Sequence, residues 1–396
     1  MVGQKANPTN HYIIGNDAAD ADSIVSAMTL AYIESRHGDE ATPIVPISKE
    51  AFTNERPEIN LLIDLAGISN VSDKLLFIDD LVDILADGIS KTISLVDHNT
   101  LNRSLQNYQK TLTVVEIVDH HKDTHQYKDT CSGKQRNIAF EHNHALVAST
   151  TTLVAERLKE YESPPYSTSI GILLLGVILL DSVNLDDSIG KVTDRDRDSV
   201  NDLLMNTDWN KAKPSSFLTR RGNGDVAVNT NELFRMLQMA KYDPVFWSQM
   251  SVSRSLSYDF KYFQAAEKFG ISSILMPGVD FMTKEGFWDS TYSFMNTIEI
   301  SFLSIMFAYY DEQEVFHRQL LFVYTNRNRL VERSVDDMLA SQAYRDADLQ
   351  LEEVMIPLPS IVSIEYPNLQ ARLFDQHNVA PSRKQIGPLL EKVLNR

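Results

Sequence analysis

Short apolar runs alternate with stretches of helical period over the first half of the chain. His11-Tyr-Ile-Ile-Gly15 reads as a strand that stops at a glycine. Between residues 23 and 37 the apolar residues Ile24, Ala27, Met28, Ala31 and Ile33 recur at helical spacing, and Gly38 supplies the residue just past the helix end. Further strands are expected at residues 43–47, 75–78, 92–96 and 113–118, each short, apolar and β-branched or followed by an acidic loop. Strands alternating with helices predict a parallel sheet in an α/β domain, and such sheets bind ligands just beyond the carboxyl ends of their strands. The apolar run at residues 170–180 reads as a buried helix, being shorter than the roughly 20 residues that span a bilayer.

Beyond Leu185 the pattern changes. Thr193 with Asp196 forms a capping box that opens a helix toward Leu204. Residues 206–229 lack clear periodicity and read as a linker. Helices are then expected near residues 230–240, 294–310 and 334–343, and strands near 272–276, 320–324 and 361–364. The expected organisation is a first domain over residues 1–205, a linker over 206–229 and a smaller α/β domain over 230–396.

Composition narrows the function classes. The 396 residues carry 37 lysines and arginines against 54 aspartates and glutamates, a formal net charge of −17. That balance disfavours nucleic acid and anionic membranes, whose phosphates need basic stripes. The single cysteine, Cys131, excludes an intramolecular disulfide and a thiolate zinc cage, and fits a reducing compartment. Residues 1–10 are polar and lack the apolar core of a secretory signal, so a soluble, cytoplasmic protein is expected.

Four acidic or histidine-bearing signals stand at the ends of apolar segments. Gly15-Asn-Asp-Ala-Ala-Asp-Ala-Asp-Ser23 places Asp20 and Asp22 between a strand and a helix, where an aspartate also serves as a helix cap. Leu95-Val-Asp-His-Asn99 and Val115-Glu-Ile-Val-Asp-His-His121 each end a strand on an aspartate followed by histidine. Asp181 ends the 170–180 run, where a carboxylate is costly unless it is paired or ligates a cation. Together, Asp20, Asp22, Asp97, His120 and Asp181 are carboxylates with one imidazole and no thiolate. That set suits Mg²⁺, Mn²⁺ or Co²⁺ better than structural zinc. Two such cations sharing a carboxylate can activate water and neutralise phosphoryl oxygens.

The order Asn16…Asp20-Ala-Asp22-Ser23, Val96-Asp97-His98-Asn99, Asp119-His120-His121 and Asp181 resembles the DHH phosphoesterase superfamily. The resemblance is to the branch of family II inorganic pyrophosphatases, eukaryotic exopolyphosphatases and prune proteins. Val147-Ala-Ser-Thr-Thr-Thr-Leu153 resembles the small-residue helix start of that branch, and Asp181-Ser-Val-Asn-Leu185 its exopolyphosphatase and prune version of the fourth motif. Tyr258-Asp-Phe-Lys-Tyr-Phe263 and Ser382-Arg383-Lys384-Gln385 resemble phosphate-binding segments of its DHHA2 domain. The resemblance implies a DHH domain and a DHHA2 domain with the active site in the cleft between them. It assigns one metal to Asp20 and Asp97 and the other to Asp22, Asp97, His120 and Asp181, with Asp97 bridging. It puts His121 on the scissile phosphate or on the leaving oxygen, Asp119 behind the imidazoles, and Asn16 and Asn99 on the substrate side. Lys261, Arg383 and Lys384 would clamp the phosphates.

Departures from the pattern sharpen the expectation. Pyrophosphatases of the branch carry a metal-binding histidine where this chain has Asn16, as exopolyphosphatase and prune sequences do; an amide oxygen there would favour Mg²⁺ over Mn²⁺. The third motif keeps Asp-His-His, whose last histidine vertebrate prune has lost. An active exopolyphosphatase releasing orthophosphate from polyphosphate is therefore expected, with a pyrophosphatase or prune-like short-chain polyphosphatase as the alternative. The nuclease branch relies on a glycine-rich motif, and this chain contains no Gly-Gly.

Overall fold

The apolar runs of the first half form six parallel strands: β1 (His11–Ile14), β2 (Ala41–Val45), β3 (Leu76–Phe77), β4 (Lys91–Val96), β5 (Leu112–Asp119) and β6 (Arg136–Ile138). Their order is β3-β2-β1-β4-β5-β6. The chain starts at the centre, winds outward through β2 and β3, then returns to β4 and winds out the other way. Ile14 pairs with Leu95, so the loops after β1 and β4 leave the sheet side by side. That reversal of winding opens a crevice at the carboxyl ends. The computed structural model describes residues 10–142, 144–222, 225–325, 329–355, 366 and 368–395.

Helices α1 (Ala21–Arg36), α2 (Lys49–Asn54), α3 (Pro57–Leu65), α4 (Ile78–Leu85), α5 (Thr150–Tyr161), α6 (Thr168–Asp181), α7 (Asp194–Asn206) and α8 (Thr230–Lys241) complete the first unit. Alternate strand residues serve opposite faces: Ile13, Val45, Val96 and Val118 pack with α1, α5 and α6, while Tyr12, Ile14, Ile44 and Leu95 pack with α4. Both faces are covered, as parallel sheets require. Every residue from Ile170 to Leu180 is buried in α6. A Cβ on Gly176 would fall 2.5 Å from Leu62 Cδ1 and 3.1 Å from Leu237 Cδ1, so the missing side chain is what lets α3 and α8 close on α6.

The expected linker is part of this core. Trp209, Ala212 and Phe217 are buried in it, and β9 (Leu218–Arg220) pairs with β10 (Val226–Val228), as β7 (Phe140–Glu141) does with β8 (His144–Ala145). Leu233 and Leu237 of α8 are buried in the same cluster. The first unit therefore runs to Lys241 and the second begins at Tyr242, in place of the expected boundaries at 205 and 230. Single aromatic anchors have no period, which is why this stretch reads as a linker.

The second unit is built on a mixed sheet of β11 (Phe260–Gln264), β12 (Lys268–Ile274), β13 (Phe302–Tyr310), β14 (Phe316–Thr325), β15 (Leu351–Val354) and β16 (Leu369–Gln376), ordered β11-β12-β13-β14-β16-β15. Only β12 and β13 are parallel. The helix expected over residues 294–310 is instead the end of the helix Phe287–Thr297 followed by β13. Leu303, Ile305 and Phe307 fill one face of β13 and Phe302 and Met306 the other, and a strand buried on both faces shows no alternation to set it apart from a helix. The expected strand at 361–364 lies outside the described residues. Among the described residues no helix is long and apolar enough to cross a membrane.

Candidate metal centre

The loop after β1 turns on Gly15. A Cβ there would lie 2.6 Å from Ser23 Cβ and 2.8 Å from Ser23 O, so only glycine lets the strand exit rest on the first turn of α1. Ser23 Oγ accepts from Asn16 N at 3.1 Å and donates to Asp97 Oδ2 at 2.8 Å. Buried Arg56 holds the far side of the loop, donating from Nη2 to Ala18 O at 2.9 Å and from Nε to Ala19 O at 2.8 Å. Asp20 is an exposed helix cap, its Oδ1 accepting from Ser23 N at 3.0 Å. Asp22 is buried and accepts from Thr150 N (2.7 Å), Thr151 N (2.8 Å), Ser149 Oγ (2.6 Å) and Thr151 Oγ1 (2.9 Å). Burial, helped by the charge of Asp20, pushes its carboxyl up to about 6 against these bonds.

Asp97, after β4, is buried in a left-handed backbone conformation, φ +62°. Asn16 Nδ2 and Ser23 Oγ donate to Oδ2, at 2.7 and 2.8 Å. Oδ1 lies 3.5 Å from both His120 Nε2 and His121 Nδ1, and accepts from Thr150 Oγ1 at 3.3 Å. His120 Nδ1 donates to Val147 O at 3.2 Å, which leaves Nε2 as the lone-pair nitrogen on the side of Asp97.

Asp119, at the end of β5, is fully buried. Its Oδ1 accepts from His120 N (2.8 Å), His121 N (3.1 Å) and His121 Nδ1 (2.9 Å), and its Oδ2 from Asn99 Nδ2 (2.5 Å). Burial alone would raise this carboxyl; His121, His120 and Asn99 outweigh it and hold the group well below the usual carboxylate range. Asp181 closes α6. Its Oδ2 is buried with no hydrogen-bond partner among the described residues. Burial first, then the charge of Asp22, pushes its carboxyl up to about 8, with Lys241 acting the other way.

The structure thus gathers Asp97, His120 and His121, which offer ligand atoms all within 4.8 Å of one another. The charge of Asp20 adds to the burial that raises Asp22, and the charges of Asp22 and Asp20 to the burial that raises Asp181. Thr150 joins Asp22 to Asp97, with its N–H on the first and its hydroxyl on the second. The amide oxygen of Asn16, expected on the substrate side, accepts from Ala18 N at 2.9 Å, and its Nδ2 donates to Asp97. Asn99, also expected on substrate, bridges Asp119 and Lys122 O with Nδ2, and its Oδ1 accepts from Thr124 N and Oγ1. Sequence reasoning missed Arg56 altogether, since nothing marks a helix-preceding arginine as a loop clamp.

The second unit presents its own cationic group. Arg383 Nη2 lies 2.8 Å from Asp259 Oδ1, and its Nη1 donates to Asp259 O at 2.9 Å. Burial would raise the Asp259 carboxyl; Arg383 and Lys261 outweigh it and hold it low, so one acid serves both cations. Lys261 sits on β11, and exposed Lys384 on the first turn of the helix Arg383–Leu394.

Residues 10–177 match the DHH family, N-terminal domain, and residues 237–393 match the DHHA2 domain. The chain belongs to the DHH family, in its DHHA2-bearing branch. Within this DHH–DHHA2 family, a Rattus norvegicus protein named Exopolyphosphatase PRUNE1 is 27% identical over 401 residues, 99% of this chain and 77% of that protein. A putative exopolyphosphatase of Schizosaccharomyces pombe is 27% identical over 400 residues, 97% of this chain and 90% of the relative. A manganese-dependent inorganic pyrophosphatase of Methanothrix thermoacetophila is 28% identical over 194 residues, 49% of this chain and 53% of the relative. The fold is also that of a putative family II inorganic pyrophosphatase from Methanococcus jannaschii, with a TM-score of 0.60 at 18% identity, covering 98% of this chain and 100% of that one.

Proposed function

We propose that this protein is a divalent-metal-dependent phosphoanhydride hydrolase, an exopolyphosphatase that releases orthophosphate from the ends of inorganic polyphosphate. The observation that carries the reading is the cluster of Asp97, His120 and His121, with ligand atoms within 4.8 Å of one another, joined through Thr150 to Asp22 and accompanied by an unpartnered oxygen on Asp181. Carboxylates raised by burial and by a neighbouring carboxylate, as Asp22 and Asp181 are, fit cations as their natural compensation. Relatives named exopolyphosphatase that align along almost the whole chain support the substrate class.

In this reading Asp20 and Asp97 hold one cation, and Asp22, Asp97, His120 and Asp181 the other. When bound, such cations supply Lewis-acid charge and lower the pKa of water. The chain's own residues do the rest. Asp119, held anionic, accepts from His121 Nδ1 and fixes the ring, so that a proton on Nε2 would be placed for transfer to the leaving phosphate oxygen. Lys261, Arg383 and Lys384 bind phosphate oxygens and stabilise charge as the bond breaks. Asn16 and Asn99 act inside the protein, on Asp97 and Asp119. Carboxylates with one imidazole serve Mg²⁺, Mn²⁺ or Co²⁺.

Phosphate release from pyrophosphate, tripolyphosphate and long-chain polyphosphate, with Mg²⁺ or Mn²⁺ restored after chelation, tests the assignment. Long chains should be the best substrates. Turnover of pyrophosphate with inert long chains would establish the pyrophosphatase alternative, which the half-chain match to a manganese-dependent pyrophosphatase favours.

A further inference from the structure

Asp196 lies beyond the 10–177 segment that matches the DHH family, and the proposed chemistry does not use it. Part of its role is ordinary helix capping, in which Oδ2 accepts from Thr193 N at 2.8 Å and from Thr193 Oγ1 at 2.9 Å and closes the capping box of α7. It is, however, fully buried and does more than cap. Its two oxygens accept from Ala148 N at 3.0 and 3.1 Å, and Oδ1 also accepts from Thr152 Oγ1 at 2.6 Å. Thr193 Oγ1 lies 3.1 Å from Leu146 O. Both the approach to α5 and its first turn are thereby tied to the start of α7.

That tied segment is the one that orients the metal centre. Val147 O fixes the ring of His120, Ser149, Thr150 and Thr151 donate to Asp22, and Thr150 Oγ1 reaches Asp97. Asp196 grips Ala148 and Thr152, on either side of Ser149, Thr150 and Thr151. A carboxylate is required there because five donor contacts converge on two oxygens, and an amide offers only one oxygen.

We infer that Asp196 is a positioning residue for the metal centre, acting through residues 146–152 on His120, Asp22 and Asp97. The inference rests on the metal-dependent reading above. Its test is Mn²⁺ binding by titration calorimetry on chelator-treated full-length protein, with melting temperature recorded separately in chelator. Asp196→Asn should weaken Mn²⁺ binding about tenfold or more, the range for groups that orient ligands. Ser48→Ala removes the cap of α2, a helix outside the centre, and should leave Mn²⁺ affinity at the wild-type value. Thr152→Val, which deletes one hydroxyl while keeping its volume, should weaken binding about threefold or more, and Thr152→Ser should restore it. Selectively ¹⁵N-labelled histidine should show the His120 Nδ1 proton shifted in Asp196→Asn and unchanged in Ser48→Ala. Wild-type Mn²⁺ affinity in Asp196→Asn would overturn the inference alone; if that variant does not fold, wild-type affinity in Thr152→Val overturns it equally. A wild-type chain that takes up no Mn²⁺, Mg²⁺ or Co²⁺ would overturn the metal reading itself.

Discussion

Asp97 shows how one side chain is aimed by residues far away in sequence. Asn16 and Ser23 claim one of its oxygens and turn the other toward the two histidines. Asp97→Ala should lower phosphate release by more than about 100-fold, above the range typical of residues that only orient ligands. Asn16→Ala leaves every proposed ligand in place, and should lower kcat/KM about 10–100-fold and weaken Mn²⁺ uptake, both read on the chelated and reloaded protein. Asp97, His120 and His121, which the structure brings together, were legible because they follow the apolar strands β4 and β5. The bonds of Asn16 and Asn99 were not legible. An amide can turn either end outward, and which end does so depends on a loop 81 residues away for Asn16.

At the scale of elements, α1 and α5 meet β4 and β5 over a polar island in an apolar layer. Glu116 accepts from Arg157 Nη2 at 2.8 Å and from Ser94 Oγ at 3.3 Å, and Glu34 Oε2 lies 3.7 Å from His11 Nε2. Burial, then the charge of Glu116, pushes the Glu34 carboxyl up to about 8. The folded state therefore keeps a proton that the unfolded chain releases near its ordinary value. Stability from this group is full below that value and is lost as pH rises through about 8. Burial lowers the His11 ring, whose effect falls at and below its ordinary value of 6.5. Glu34→Gln should consequently flatten the fall in melting temperature between pH 6.5 and 8.5, with each 1 kcal/mol recovered worth about 2–4 °C in a unit of this size. Leu237→Ala on α8 should cost about 2–5 kcal/mol, and hydrogen exchange should show the loss in the first unit. The parallel sheet was legible from alternation, and α7 from its capping box. The helix α8 was placed in the wrong unit because which core receives an amphipathic face is not a local property of the face.

Across the whole molecule, the proposed function puts the metal-holding carboxylates and imidazole in Met1–Lys241 and the phosphate-binding cations in Tyr242–Arg396. Arg383→Ala should raise KM for polyphosphate more than about tenfold and leave Mn²⁺ affinity at the wild-type value, which separates substrate binding from metal binding. The net charge of −17 reads differently once the acids are located, since Asp22 and Asp97 are buried and Asp181 half-buried in the first unit and not spread over its surface. The outermost strands of the first sheet bear on a separate matter. β3 has two residues and β6 three, so an incoming strand from another copy would find almost no ladder to extend. A six-stranded parallel sheet forms slowly and exposes its edges while it does so; here the edges are too brief to template fibrils, and concentrated protein should resist strand-by-strand aggregation through this unit.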